Sequence, residues 1–278
     1  MKTVLLLLSL MAVCLTGTAR AAEPSIPIFW DAKERLPKPD LAALPRLRFL
    51  TTIDFPPFNF LDGNGRLSGF HVDLARAICA ELAIQAKCQI QALPWAELDS
   101  ALASQQGDAI IAGTAITAES RARYVFSRPY LRFPARLVTL KAKALGQPMF
   151  EKIAGERIGV IAGSAHERML RDLFPTAKVV TYSKQEWMYG DLKERKLAGI
   201  FGDGMRLGFW LAGTDSAGCC VFADGPYLSA QYLGNGLAIA TSPENAELAD
   251  AFDYALQQIS TNGTFAELYL RYFPVGFF

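Results

Sequence analysis

The stretch Leu47-Arg48-Phe49-Leu50-Thr51-Thr52-Ile53-Asp54-Phe55-Pro56-Pro57-Phe58 is followed, ten residues on, by Gly69-Phe70-His71-Val72-Asp73-Leu74-Ala75. The first six residues read as a short apolar strand. Two prolines then stiffen a loop with few backbone donors. Gly69 opens a helix in which Leu74, Ile78 and Leu82 recur every four residues and give one buried face. Strand, rigid aromatic loop and amphipathic helix together announce an α/β unit whose strand ends in a loop able to face a ligand.

The unit is repeated along the chain. Strands are expected at Cys88–Leu93 and Asp108–Ala112, with a helix at Trp95–Ser104 between them. The pattern restarts with strands at Arg136–Leu140, Arg157–Ile161, Val179–Tyr182, Ala198–Phe201 and Cys219–Phe222, and helices from about Ala165, Glu186 and Gly204. A strand at Leu237–Ala240, an amphipathic helix at Glu244–Ile259 and a last helix carrying Phe265, Leu268 and Tyr272 close the chain. Such alternation predicts parallel-rich sheets covered by helices. Two sets of about 100 residues predict two lobes with a cleft between them, and ligands of such sheets sit beyond the strands' carboxyl ends.

At 278 residues, with 51% hydrophobic and 20% charged, the chain has a globular composition, which excludes a disordered or collagen-like protein. Met1-Lys2, the apolar run Val4–Leu15 and Ala19-Arg20-Ala21 form a cleavable signal peptide spanning 1–22. The run is too short to span a bilayer, which takes about 20 apolar residues. Val13 before Cys14 argues against lipid attachment there. Without Lys2 and Arg20 there are 26 basic against 27 acidic residues, so no positive excess is left to hold a nucleic acid. Two histidines make a His-rich metal site unsuited to this chain, and no cofactor is expected. Residues 23–45, with five prolines, read as an extended arm docked through Ile26, Ile28, Phe29 and Trp30.

Four cysteines follow the leader, in a compartment that permits disulfides. Cys79 and Cys88 can close a short loop from a helix end to the next strand. Cys219 and Cys220 are adjacent; along a strand they would face opposite ways, and two buried thiols are expected there.

Several positions admit both a chemical and a structural reading. Phe55, Phe58 and Trp95 follow strands and can wall a ligand or lie in the core. Gly163-Ser164 joins a strand to a helix, where Ser164 can meet an anionic group or cap the helix. Asp203, inside Gly202-Asp203-Gly204, can take a ligand ammonium or cap the next helix. A Ser164–His166–Asp203 triad is disfavoured, because residues two apart on a helix face apart. No G-x-S-x-G elbow or phosphate loop occurs. His71 is expected at a surface or lobe edge.

Taken in order, these segments resemble the family 3 extracellular solute-binding proteins, the periplasmic amino-acid-binding components of ABC importers, over Leu47–Phe273. Phe55-Pro56-Pro57-Phe58 is similar to that family's aromatic-x-Pro-Phe loop. Gly69–Ala75 resembles G-F-D-x-D-L-A, with His71 in place of an Asp. Asp108–Gly113 with Ile116-Thr117, Phe126-Ser127-Arg128-Pro129-Tyr130, Ile158–Ser164 and Asn262-Gly263-Thr264 match further motifs.

The resemblance implies a two-lobed periplasmic-binding-protein (Venus-flytrap) fold: two parallel-rich sheets joined by a two-strand hinge, with 46–133 plus 235–278 in lobe 1 and 134–234 in lobe 2. It implies a non-enzymatic, monomeric periplasmic protein that closes on a small solute and delivers it to an inner-membrane permease. It also implies roles: Phe55 and Trp95 as aromatic walls, Gly113, Thr114 and Ala115 near a ligand carboxylate, Ser164 in contact from the other lobe, and Asp203 as acceptor of the α-ammonium. A Cys pair at the place of Cys79 and Cys88 occurs in some members.

One departure stands out. The family's carboxylate-clamping Arg falls at Ser120, with Arg121 one step further, about 100° around a helix. Either Arg121 reaches in, or the ligand is a small amine or an amino-acid derivative lacking a free carboxylate. The alternative on the same scaffold is a periplasmic cyclohexadienyl or arogenate dehydratase, for which Glu119 is the nearest candidate general acid.

Overall fold

The structure is a computed structural model that describes residues 26–31, 33–273 and 275–278. The signal peptide read at 1–22 therefore lies outside the described residues, as does the start of the arm. No helix among the described residues is long and apolar enough to cross a membrane.

After the arm the chain forms β1 (Leu47–Thr51), a small antiparallel flap of β2 (Asp54–Phe55), β3 (Asn59–Leu61) and β4 (Leu67–Ser68), and helix α1 (Phe70–Glu81). There follow β5 (Cys88–Ala92), α2 (Leu98–Ala103), β6 (Ala109–Ile110), α3 (Ala118–Arg121) and β7 (Val125–Phe126). A second set comprises β8 (Ala135–Leu140), α4 (Met149–Lys152), β9 (Arg157–Ile161), α5 (Ala165–Leu173), β10 (Lys178–Tyr182), α6 (Gln185–Lys193), β11 (Gly199–Asp203), α7 (Gly204–Ala212), β12 (Cys220–Tyr227) and α8 (Ala230–Leu233). The chain ends with β13 (Ala240–Thr241), α9 (Ala246–Thr261) and α10 (Thr264–Tyr272).

These strands make two five-stranded sheets, ordered β5-β1-β6-β13-β7 and β10-β9-β11-β8-β12. In the first, β5, β1 and β6 run parallel and β13 runs antiparallel between β6 and β7. In the second, β10, β9 and β11 are parallel, and β8 is antiparallel to both β11 and β12. Each sheet thus has a parallel half and an antiparallel half. The reversed strand is β13 in the first sheet, where the chain returns after building the second, and β8 in the second sheet, where the chain first enters it.

The two passages between the sheets lie side by side. Leu131 and Leu237 form an antiparallel bridge, with the Leu237 N–H donating to the Leu131 carbonyl at 2.7 Å and the Tyr130 N–H to the Leu237 carbonyl at 2.9 Å. The molecule is a two-lobed α/β fold with a two-strand hinge.

Strand β1 shows why the sheet is buried on both faces. Leu47 and Phe49 pack into the cluster of α1, α9 and α10, while Leu50 packs with Leu98 and Leu102 of α2. The Pro-Pro loop starts α1: the Pro57 and Phe58 carbonyls accept the N–H groups of Phe70 and His71 at 3.0 and 2.9 Å, satisfying two donors that a helix start leaves unpaired. A Cβ on Gly69, at φ 128°, would sit 2.2 Å from the Phe58 carbonyl oxygen, so that approach needs glycine.

The arm is docked as expected. Trp30 is buried in the first core with Leu36, Leu41 and Leu44 packed beside it, and Arg128 grips the Glu34 carboxylate through both Nη atoms at 2.6 and 2.7 Å. Ile28 is the exception, being 65% exposed.

Two expectations are corrected. Cys219 and Cys220 are joined to each other, not free. Only Cys220 belongs to β12; Cys219 follows Ala217 and Gly218, both at positive φ, so the pair straddles a turn and a strand start instead of alternating along a strand. His71 is fully buried, not at a lobe edge. The Cys79–Cys88 bond is present, with its Cα atoms 6.3 Å apart.

Candidate ligand-binding site

In the second sheet, β9 and β11 are neighbours, and residues at or just beyond their carboxyl ends converge. Ser164 and Asp203 line one cavity of about 300 Å³, together with Ile161, His166, Gln185 and Arg206. Both residues cap helices. Ser164 Oγ donates to the Ile161 carbonyl at 2.7 Å and accepts the Glu167 N–H at 3.1 Å. Asp203 Oδ1 accepts the Arg206 N–H at 2.7 Å. The structural and chemical readings therefore coexist: each side chain is oriented by its cap and half-exposed to the cavity.

Gln185 and Arg206 were not singled out from the sequence, and His166 was expected to face away from Ser164. Ser164 and His166 share the cavity because Ser164 is the non-helical cap, at ψ 161°, and the angular rule for helix residues does not cover it. No triad results, since the Ser164 hydroxyl proton goes to a backbone carbonyl. Burial pushes the His166 imidazole below its ordinary pKa; the Asp203 carboxylate opposes the shift and Arg206 adds to it.

The first lobe contributes a different surface. Phe55, 36% exposed, stacks on Phe58 with ring centroids 4.7 Å apart. Its edge lies 2.9 Å from where a Cβ on Gly113 would be, and Gly113 has φ 89°. Trp95, directly after β5 and Pro94, is 53% exposed. Thr114 is half-buried and Ala115 exposed.

Phe58 is corrected from wall to core. It is fully buried, with His71, Phe133 and Phe273 rings within 6.0 Å, because the loop turns it under Phe55. Ser120 is also withdrawn into structure: its hydroxyl donates to the Ala115 carbonyl at 2.7 Å and accepts the Thr117 N–H at 2.9 Å, in a reciprocal cap of α3. Arg121 is exposed on that helix, and its side chain has no hydrogen bond or ion pair among the described residues. Glu119 is exposed there too.

Behind Phe55 runs a buried polar chain that the sequence did not reveal. The Tyr130 hydroxyl is 2.8 Å from His71 Nε2, His71 Nδ1 is 2.5 Å from Asn59 Oδ1, and Asn59 Nδ2 donates to Thr52 Oγ1 at 2.7 Å. Burial lowers the His71 pKa to about 3, so the ring is neutral at neutral pH. Among the described residues, no hydrogen bond, ion pair or ring contact runs from Phe55 or Trp95 to Ser164 or Asp203; the structure groups the candidate residues lobe by lobe.

Two hinged α/β lobes, each with candidate residues past the carboxyl ends of its strands, define the class of two-lobed solute-binding folds. Residues 47–275 match the model of the bacterial extracellular solute-binding proteins, family 3, and the chain belongs to that family. It is 30% identical over 233 residues to the ABC transporter arginine-binding protein 1 of Escherichia coli (strain K12), covering 84% of this chain and 93% of that protein. It shares its fold with the unliganded L-cystine solute receptor of Neisseria gonorrhoeae (TM-score 0.70, 17% identity, 84% and 95% of the two chains). It shares it also with an ancestral cyclohexadienyl dehydratase (TM-score 0.70, 20% identity, 84% and 95%).

Proposed function

We propose that this protein is the periplasmic solute-binding component of an ABC importer for amino acids, holding a small ammonium-bearing solute between its lobes and presenting the closed form to a membrane permease. It is a binding protein, not an enzyme, in line with its family and with the binding proteins among its curated relatives. The observation that carries the reading is the cavity in which the Asp203 carboxylate and Ser164 lie at adjacent strand ends. A carboxylate oriented by a cap and half-open to a cavity is a ready acceptor for an ammonium group.

In this reading residues 46–133 plus 235–278 form one lobe and 134–234 the other. Phe55, Trp95 and the Gly113–Ala115 segment cover the solute from the first lobe. Closure is driven by contacts made only when both lobes touch the solute. Trp95 supplies the test. Binding buries it, so its fluorescence shifts to the blue as a solute such as L-arginine, the amino acid in the E. coli relative's name, or another amino acid is added. No shift and no thermal stabilisation with any amino acid or amine would overturn the proposal.

A further inference from the structure

The position where the resemblance expects a carboxylate clamp is occupied by Ser120, whose hydroxyl is spent on its own turn. Two guanidinium groups could take over that task. Arg121 sits exposed on α3 and is not among the residues that line the cavity of Asp203 and Ser164. Arg206 lies elsewhere, on the second lobe, and lines the same cavity as Asp203 and Ser164.

Arg206 is held in register with Asp203 by the fold. Its backbone N–H is bonded to Asp203 Oδ1 at 2.7 Å, which puts the two residues at the cap and the third position of α7. That capping bond keeps the two residues at the same helix end. Among the described residues the Arg206 guanidinium makes one long hydrogen bond, Nη1 to Gln185 Oε1 at 3.4 Å. It does not fold back onto Asp203. The cavity is therefore lined by a carboxylate and a guanidinium that are not paired with each other, and by the His166 imidazole.

An α-amino-acid zwitterion carries the complementary pair on one carbon. We infer that Arg206 is the carboxylate-binding residue of this protein, taking the carboxylate of the amino acid whose ammonium the proposed function rests on Asp203. This inference rests on the solute-binding reading above. Both charged ends are then held by the second lobe alone. The first lobe, with Phe55 and Trp95, is left to cover the solute's side chain. A planar guanidinium suits a carboxylate because it donates two parallel hydrogen bonds.

The test is calorimetric titration of the mature protein with the proteinogenic L-amino acids, and then with the decarboxylated amine and the α-amide of the tightest binder. We expect the free amino acid to bind and both derivatives to bind on the order of ten- to a hundredfold more weakly, the loss of one charge-assisted pair. R206Q should weaken the free amino acid by a similar factor while binding the amine and amide as wild type does. R206K should fall between, and R168Q, an exposed change elsewhere on the same lobe, should match wild type. Arg206 is exposed, so the variants should keep the wild-type melting temperature. Derivatives that bind as well as the free amino acid, or a loss seen with R121Q and not R206Q, would overturn this assignment and leave the solute-binding reading standing. Absence of any binding by wild type would overturn both.

Discussion

The Tyr130 hydroxyl lies 2.8 Å from Nε2 of His71, and neither residue is more than 2% exposed. Since burial holds the imidazole neutral, the bond has a direction: Tyr130 donates to Nε2, and Nδ1–H donates onward to Asn59. Replacing Tyr130 by Phe leaves a buried acceptor without its donor, at a cost of about 1–3 kcal/mol. Urea denaturation of Y130F at pH 7 should show that loss as a lower midpoint with an unchanged slope.

The same histidine makes stability depend on pH. Its folded pKa, about 3, lies below the ordinary 6.5. Between those values the unfolded chain binds a proton that the folded one refuses, so stability is complete above pH 6.5 and falls as the pH drops towards 3. H71Q, which keeps a polar group in the chain, should flatten this part of the profile. Unfolding measured from pH 7 to 4 decides it: an identical slope in H71Q would show that His71 is not the source.

Gly113 faces Phe55 so closely that an added Cβ would lie 2.9 Å from the ring, on a backbone at φ 89°. Gly113→Ala adds strain at a positive φ, costing upwards of about 1 kcal/mol, and pushes the ring off its stack on Phe58. Solute affinity should fall as well as the melting temperature. A variant that loses stability but keeps wild-type affinity would remove Phe55 from the cleft wall.

The Cys79–Cys88 bond closes a loop with a sequence separation of 9 between α1 and β5. For a loop that short, chain-entropy reasoning gives about 2–3 kcal/mol. The C79S/C88S double variant should unfold at correspondingly lower urea concentration, with its solute affinity little changed because the bond lies away from the candidate cavity.

The arm is part of the first core. Trp30 is 8% exposed and lies under the Arg128 guanidinium, 5.2 Å from its ring centroid. Trp30→Ala should destabilise by about 3 kcal/mol, as large-to-small core changes do. Limited proteolysis should then cut within residues 33–45, where in the wild-type protein Arg128 and Gln257 hold Glu34.

The sequence by itself determined the architecture. Short apolar runs, an apolar recurrence every four residues, the Pro-Pro loop before Gly69, and the order of the motifs from Leu47 to Phe273 are local or additive signals, and local signals survive in a string of letters. The same holds for helix caps, which is why Ser164 and Asp203 could be read in advance as residues at strand-to-helix turns. What lay between distant residues was decided by tertiary structure alone. Phe55 and Phe58 are three apart and chemically identical, yet only packing against Phe273 and His71 sends one inward. His71 reads as an ordinary polar residue until Tyr130, 59 positions away, supplies its partner. Arg206 and His166 become neighbours of one cavity only because β9 and β11 pair in the sheet. Burial and electrostatic partnership depend on which surfaces the folded chain brings within a few ångströms, and nothing in the spacing of those residues encodes that.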